Sequence, residues 1–245
     1  MRKVLILILV LVCAGAYGQG NVLYNALLVK PKIGKAGAFE SAWKAHVAKF
    51  HNGDDKRSVY EILTGDNAGS YHLVDGPSSF ADMDKEGGNK TEHDKDFDNS
   101  VAPTIESQSG SFIYRFVDSL SYNMIQAAKS TATVYNLKLG KMPELVAEVK
   151  RAKQVNESIK SPGSTAVFIK MMPGSSPQMV IFANLKDGFK QLESNYFPGQ
   201  ADKFREAYVA MHGQAAWDKR LAMLQEITTS YETFLYKHRP DLSSK

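Results

Sequence analysis

The second half of this chain repeats the first, and no other property restricts the fold as strongly. Val22-Leu23-Tyr24-Asn25 returns as Thr133-Val134-Tyr135-Asn136, about 110 residues later. Val59-Tyr60-Glu61-Ile62 matches Val167-Phe168-Ile169-Lys170, and Tyr71-His72-Leu73-Val74 matches Val180-Ile181-Phe182-Ala183. Phe112-Ile113-Tyr114-Arg115 before Leu120-Ser121 returns as Phe234-Leu235-Tyr236-Lys237 before Leu242-Ser243. A chain with this self-similarity reads as two copies of one unit packed on each other.

The unit is α+β. Residues 22–30 alternate as a strand, and Phe39, Trp43, His46 and Phe50 then recur at helical spacing. Two further runs, 58–64 and 70–75, flank Gly65-Asp66-Asn67-Ala68-Gly69 as a hairpin. Ser79 and Asp82 have the spacing of a capping box, which opens a second helix. The polar stretch 84–98 reads as loop and a helical piece, and 112–117 as a closing strand. The second copy gives strands at 133–139, 166–171, 179–183 and 231–237, and helices from Met142, near 187–195 and over 201–226. Leu23, Leu27 and Val29 alternate with Val22, Tyr24, Ala26 and Leu28, so the strands are apolar on both parities. A sheet covered on one face alone would show polar residues on the other. The second face therefore needs a cover, and the sheet of the other copy is the simplest one.

Residues 1–18 have the layout of a secretory signal peptide: Arg2 and Lys3, an apolar run from Val4 to Val12, and small residues around Ala14-Gly15-Ala16. The chain divides into this leader, a first repeat over 19–125 and a second over 126–245, with an exported, periplasmic or secreted destination. The one cysteine, Cys13, falls in the leader, so the mature chain has no disulfide, thiolate ligand or cysteine nucleophile. Without Arg2 and Lys3 the 30 basic residues fall to 28 against 26 acidic ones. No basic stripe invites nucleic acid, and no second apolar run is long enough to span a membrane. One chain supplies both sheets, so a monomer suffices.

The order β-α-β-β-α-β, taken twice, resembles the dimeric α+β barrel superfamily with its two halves fused in tandem. The resemblance implies two ferredoxin-like repeats packed sheet to sheet. It also implies activities of the kinds found there, antibiotic-biosynthesis-type monooxygenases and isomerases among them, or a ligand held in a barrel pocket without chemistry. Haem is admitted by the same resemblance, with Asn25 and Asn136 in the place of its strand asparagine and His93 or His212 in that of its helix histidine. The tryptophan of that pattern is missing, since Phe80 and Phe189 stand at the second-helix starts. Otherwise no cofactor is expected.

The candidate site residues are few. His212 and His46 lie on apolar helix faces and are the candidates for proton transfer. Asn25 and Asn136 are polar residues in apolar strands, and with Trp43 and Tyr208 they are the candidates for holding a small apolar or aromatic ligand. His51 reads as a solvated helix end, and His72 as structural or half-exposed. Asp94-Lys95-Asp96-Phe97-Asp98 begins like a calcium loop, but Asn99 and Ile105 stand where glycine and glutamate are needed. No histidine or carboxylate set has the spacing of a zinc site, so no metal is assigned. A non-catalytic structural or interaction role is the third class of function.

Overall fold

The computed structural model describes residues 22–52, 56–85, 90–172 and 176–245, so the leader lies outside the described residues. The strands are β1 (Leu23–Pro31), β2 (Arg57–Ile62), β3 (Tyr71–Ser78), β4 (Ile105–Gln108), β5 (Phe112–Phe116), β6 (Lys129–Leu137), β7 (Thr165–Met172), β8 (Gln178–Leu185) and β9 (Thr228–His238). The helices are α1 (Ala36–Phe50), α2 (Phe80–Met83), α3 (Lys90–Asp96), α4 (Met142–Ser158), α5 (Gln200–His212) and α6 (Gln214–Ile227). The strands run β3-β2-β9-β6-β8-β7-β5-β1, and β1 pairs again with β3. Eight antiparallel strands thus close into a barrel, which removes every free edge among them. The short β4 adds beside the C-terminal end of β1, from Val29 to Pro31.

Apolarity on both parities now has its reason. Along each strand, one set of side chains points into the barrel and the other toward the helices. Tyr60, Ile62, Ala132, Val180, Phe182 and Tyr236 belong to the interior cluster. Val29, Val59, Tyr71 and Leu73 face outward to Phe39, Trp43 and Val47 of α1. Leu137, Val167 and Met179 face Leu145 of α4 and Ile227 of α6. The interior is filled by aromatic rings: Phe168 meets Tyr24 at 5.5 Å and Phe182 at 5.6 Å, and Phe182 meets Tyr236 at 5.7 Å.

Several elements depart from the sequence reading. The long helix expected over 201–226 is broken at Gly213, whose φ of 88° ends α5 and starts α6. The first strand of the second half begins at Lys129 rather than at Thr133. The calcium-like segment is helical: α3 runs into a π turn over Phe97–Val101. The capping box of Ser79 and Asp82 is present.

The pairing of the two halves corrects one equivalence. Asn25 lies between Asp75 on β3 and Ile113 on β5. The counterpart of Ile113 in the Phe112–Phe234 match is Leu235, and the residue of β6 opposite it is Thr131. Asn136 is therefore not the twin of Asn25. It sits further along β6 and reaches Gln178 and Ser230. Near-uniformly apolar strands carry little information on register, which is why the sequence match slipped.

The Leu-Ser ending of each half has a clear job. Leu120 and Leu242 are both buried. Ser121 Oγ accepts from the Val167 amide of β7 at 3.0 Å and donates to Val117 O at 2.9 Å. Ser243 Oγ accepts from the Val59 amide of β2 at 2.9 Å and donates to Arg239 O at 2.8 Å. Each tail thus ends on a strand of the other half.

Candidate functional site

The outer face of the first half carries the densest chemistry. On α1, Phe39, Trp43, His46 and Val47 are buried, as their helical spacing requires. Trp43 donates from Nε1 to Leu242 O at 3.1 Å and stacks near His46 and His51. It is a core residue here, packed against Phe39 and the far tail, rather than the wall of a pocket. His51 caps α1, its amide bonded to Val47 O, and it is buried. The solvated helix end is thus corrected: the chain turns inward after Phe50 because Trp43 and Arg57 receive the ring.

His46 Nδ1 lies 2.9 Å from Asp96 Oδ2, and its Nε2 lies 3.2 Å from His93 Nε2. His93 Nε2 is also 3.3 Å from His51 Nε2, and its Nδ1 is 3.0 Å from Asp94 Oδ1. Arg57 Nε donates to His51 Nδ1 at 3.2 Å. Burial holds the His46 imidazolium below its ordinary range despite Asp96 beside it. Asp96 is held below the usual carboxylate range, first by the hydrogen bond from His46. The ligand atoms of His46, His51 and His93 fall within 4.8 Å of one another, close enough to hold one metal ion. Sequence spacing did not find this set because α3 is brought onto α1 by the tertiary fold. The one legible signal was His46 and His51 sharing a helix end, with His93 flanked by acids.

A groove of about 670 Å³ lies further along the same outer face. Asn25, Asp75 and Ser78 line it with Met83, Ile113 and Met172. Asn25 Oδ1 is buried and accepts no hydrogen bond among the described residues. Asp75 forms an ion pair with Arg57, so the groove and the histidines share that guanidinium. Asn136, in contrast, is fully engaged: Nδ2 donates to Ser230 Oγ at 3.0 Å, and Oδ1 accepts from Gln178 Nε2 at 2.8 Å. Gln178 in turn accepts from the Tyr114 hydroxyl at 2.7 Å. Asn136 thus joins β6 to β8 and β9.

In the second half, Tyr208 is buried and donates to Glu148 Oε2 at 2.8 Å. Arg220 meets Glu148 as well and lies over the rings of Tyr208 and Trp217 at 4.8 and 5.0 Å. Burial, followed by the Glu148 bond, pushes the Tyr208 hydroxyl up. His212 packs against Tyr208 at 5.0 Å, and its buried Nε2 has no partner among the described residues. The structure therefore separates His212 and Tyr208 from His46, Trp43 and Asn25. Glu148, Arg220 and Arg57 went unrecognised and Asp96 was read only as part of the calcium-like run, since a paired charge looks the same in sequence as a solvated one. The clustered histidines do not fit haem. The Nε2 atoms of His46 and His93 face each other at 3.2 Å rather than an open slot.

No family model matches the chain, and no curated protein matches it. Solved structures do. An anthrone oxidase-like protein superposes with a TM-score of 0.55 at 11% identity, covering 91% of this chain and 92% of the other. A monooxygenase-like protein from Lactobacillus acidophilus gives 0.53 at 8% identity, covering 92% and 96%. Chlorite dismutase from Candidatus Nitrospira defluvii, in complex with imidazole, gives 0.52 at 8% identity over 91% and 93%. The chain has the dimeric α+β barrel fold. Among the described residues no helix is long and apolar enough to cross a membrane.

Proposed function

We propose that this chain is an exported binding protein made of two ferredoxin-like repeats, which takes a small ligand in the groove beside Asn25. The single observation that carries the reading is the Asn25 carbonyl oxygen, buried at the groove without a hydrogen-bond donor. An orphaned buried acceptor costs about 1–3 kcal/mol, so a ligand that donates to it gains that much selectivity. Met83, Ile113 and Met172 give the apolar contact, while Asn25, Asp75 and Ser78 address a hydroxyl or amine. The ligand class is thus a small apolar or aromatic body bearing one or two N–H or O–H groups.

The duplicated reading is supported by the matched pairings Asn25–Ile113 and Thr131–Leu235 and by the matched bonds of Ser121 and Ser243. Export rests on the leader of residues 1–18 alone. Periplasmic fractionation with N-terminal sequencing tests it, and a mature protein beginning soon after Ala16 or Gly18 is the expected result.

A cofactor-independent oxygenase or isomerase is the second reading, favoured by the likeness to the anthrone oxidase-like and monooxygenase-like structures. Calorimetric titration with hydroxylated aromatic compounds, with oxygen uptake followed in parallel, tests both. Binding that Asn25→Leu weakens about tenfold or more, without oxygen uptake, supports the binding protein. Oxygen uptake lost in the same variant supports the oxygenase. No saturable binding to any compound would leave a structural role.

A further inference from the structure

Two of the three clustered histidines have their tautomers fixed. Asp96 faces His46 Nδ1 and Asp94 faces His93 Nδ1, and an ionised carboxylate can only accept. Each Nδ1 therefore carries the hydrogen, and each neutral ring presents a lone pair at Nε2. Those two lone pairs point at each other across 3.2 Å. Such an arrangement is repulsive unless a cation lies between them. Zn–N bonds of about 2.0–2.1 Å at tetrahedral angles put ligand nitrogens about 3.3–3.4 Å apart. With Arg57 donating to His51 Nδ1, His51 carries its hydrogen on Nε2 and donates it to His93 Nε2 at 3.3 Å. That leaves the 3.2 Å contact of His46 with His93 without a proton, and both separations match those of a ligand set.

We propose that His46, His51 and His93 bind one divalent transition-metal ion through their Nε2 atoms. Three imidazoles suit zinc, with a fourth position left for water or another small ligand. Asp96 and Asp94 supply the carboxylate–histidine partners that orient such ligands and raise their basicity. His51 joins in its Nδ1–H tautomer. That tautomer gives up the hydrogen bond from Arg57, whose guanidinium keeps its ion pair with Asp75 at the groove. Metal binding and the state of the groove are therefore linked through one side chain.

The ion also has a structural task. No residue of α3 is buried, so His93 and the Asp96–His46 contact carry much of its attachment to α1. A metal shared between His93 of α3 and the two histidines of α1 and its cap fastens that helix to the barrel.

The test uses the untagged mature protein, stripped with chelator and titrated with Co²⁺ and Zn²⁺. One ion per chain is expected, with the visible absorption of nitrogen-ligated, four-coordinate Co²⁺ and a rise in melting temperature. His93→Gln should abolish the absorption and the metal-induced rise in melting temperature, with the metal-free melt of the variant, recorded beside the wild type, separating that loss from a folding defect. Asp96→Asn should weaken binding about 10- to 100-fold, as loss of an orienting carboxylate does. His212→Gln should change nothing. Equal Co²⁺ spectra for the wild type and His93→Gln would overturn the proposal, and so would the absence of saturable binding at one ion per chain.

Discussion

His72 shows how a single side chain can set the pH response of the molecule. It stands inside the barrel with Tyr236 donating to or accepting from its Nδ1 at 3.1 Å, and burial pushes its pKa from 6.5 down to about 4. The unfolded chain therefore binds a proton that the folded one refuses. The contribution is fully present above pH 6.5 and is lost as pH falls toward 4. His46, lowered by burial as well, acts in the same direction. Thermal melts should drop steadily as the pH falls through those limits, by the equivalent of about 3 kcal/mol in full from His72. His72→Phe should flatten that slope, and an unchanged slope would refute the assignment. The two asparagines separate on the same scale. Asn136→Ala breaks bonds to Ser230 and Gln178 and should cost about 1–3 kcal/mol in urea denaturation. Asn25→Ala, whose Oδ1 has no partner to lose, should cost less.

Among the elements, the two tails and the helix bearing Glu148 carry the most weight. Ser121→Ala and Ser243→Ala each remove the acceptor of a strand amide, Val167 or Val59. Each should cost about 1–2 kcal/mol in chemical denaturation, and similar values would show that the two tails act alike. Tyr208→Phe should cost about the same, by taking a donor from buried Glu148 while Arg220 and Arg151 stay in place. The β2–β3 turn needs Gly65. Its φ is 78°, and a Cβ there would meet the Phe234 ring at 2.7 Å. The carboxylates Glu40 and Asp241 converge on Arg239, so that the second tail also binds α1. Hydrogen bonds from Arg239 hold both carboxyls below the usual range.

For the whole molecule, closure is the governing fact. β2 pairs with β9 and β5 with β7, so each half alone would leave both edge strands of its sheet unpaired. The interior rings of Phe168, Phe182 and Tyr236 come from the second half and those of Tyr24 and Tyr114 from the first. Separately produced segments 22–125 and 126–245 should be unfolded or self-associated when alone. Mixed, they should regain native near-ultraviolet circular dichroism. A stably folded, monomeric half would contradict this account of the barrel.

The element order, the two-faced apolar strands and the capping box at Ser79 were legible because each depends on local spacing. The need for a second sheet followed from the same alternation. Register was not legible, since uniformly apolar strands fit several offsets, and Asn136 was matched to Asn25 for that reason. The histidine cluster was equally hidden: His46 and His51 come from one helix end and His93 from another segment, and only closure of the fold puts their Nε2 atoms 3.2 and 3.3 Å apart. Periodicity determines which face of an element is buried. Which side chains meet across that face is decided by long-range packing, which no local pattern encodes.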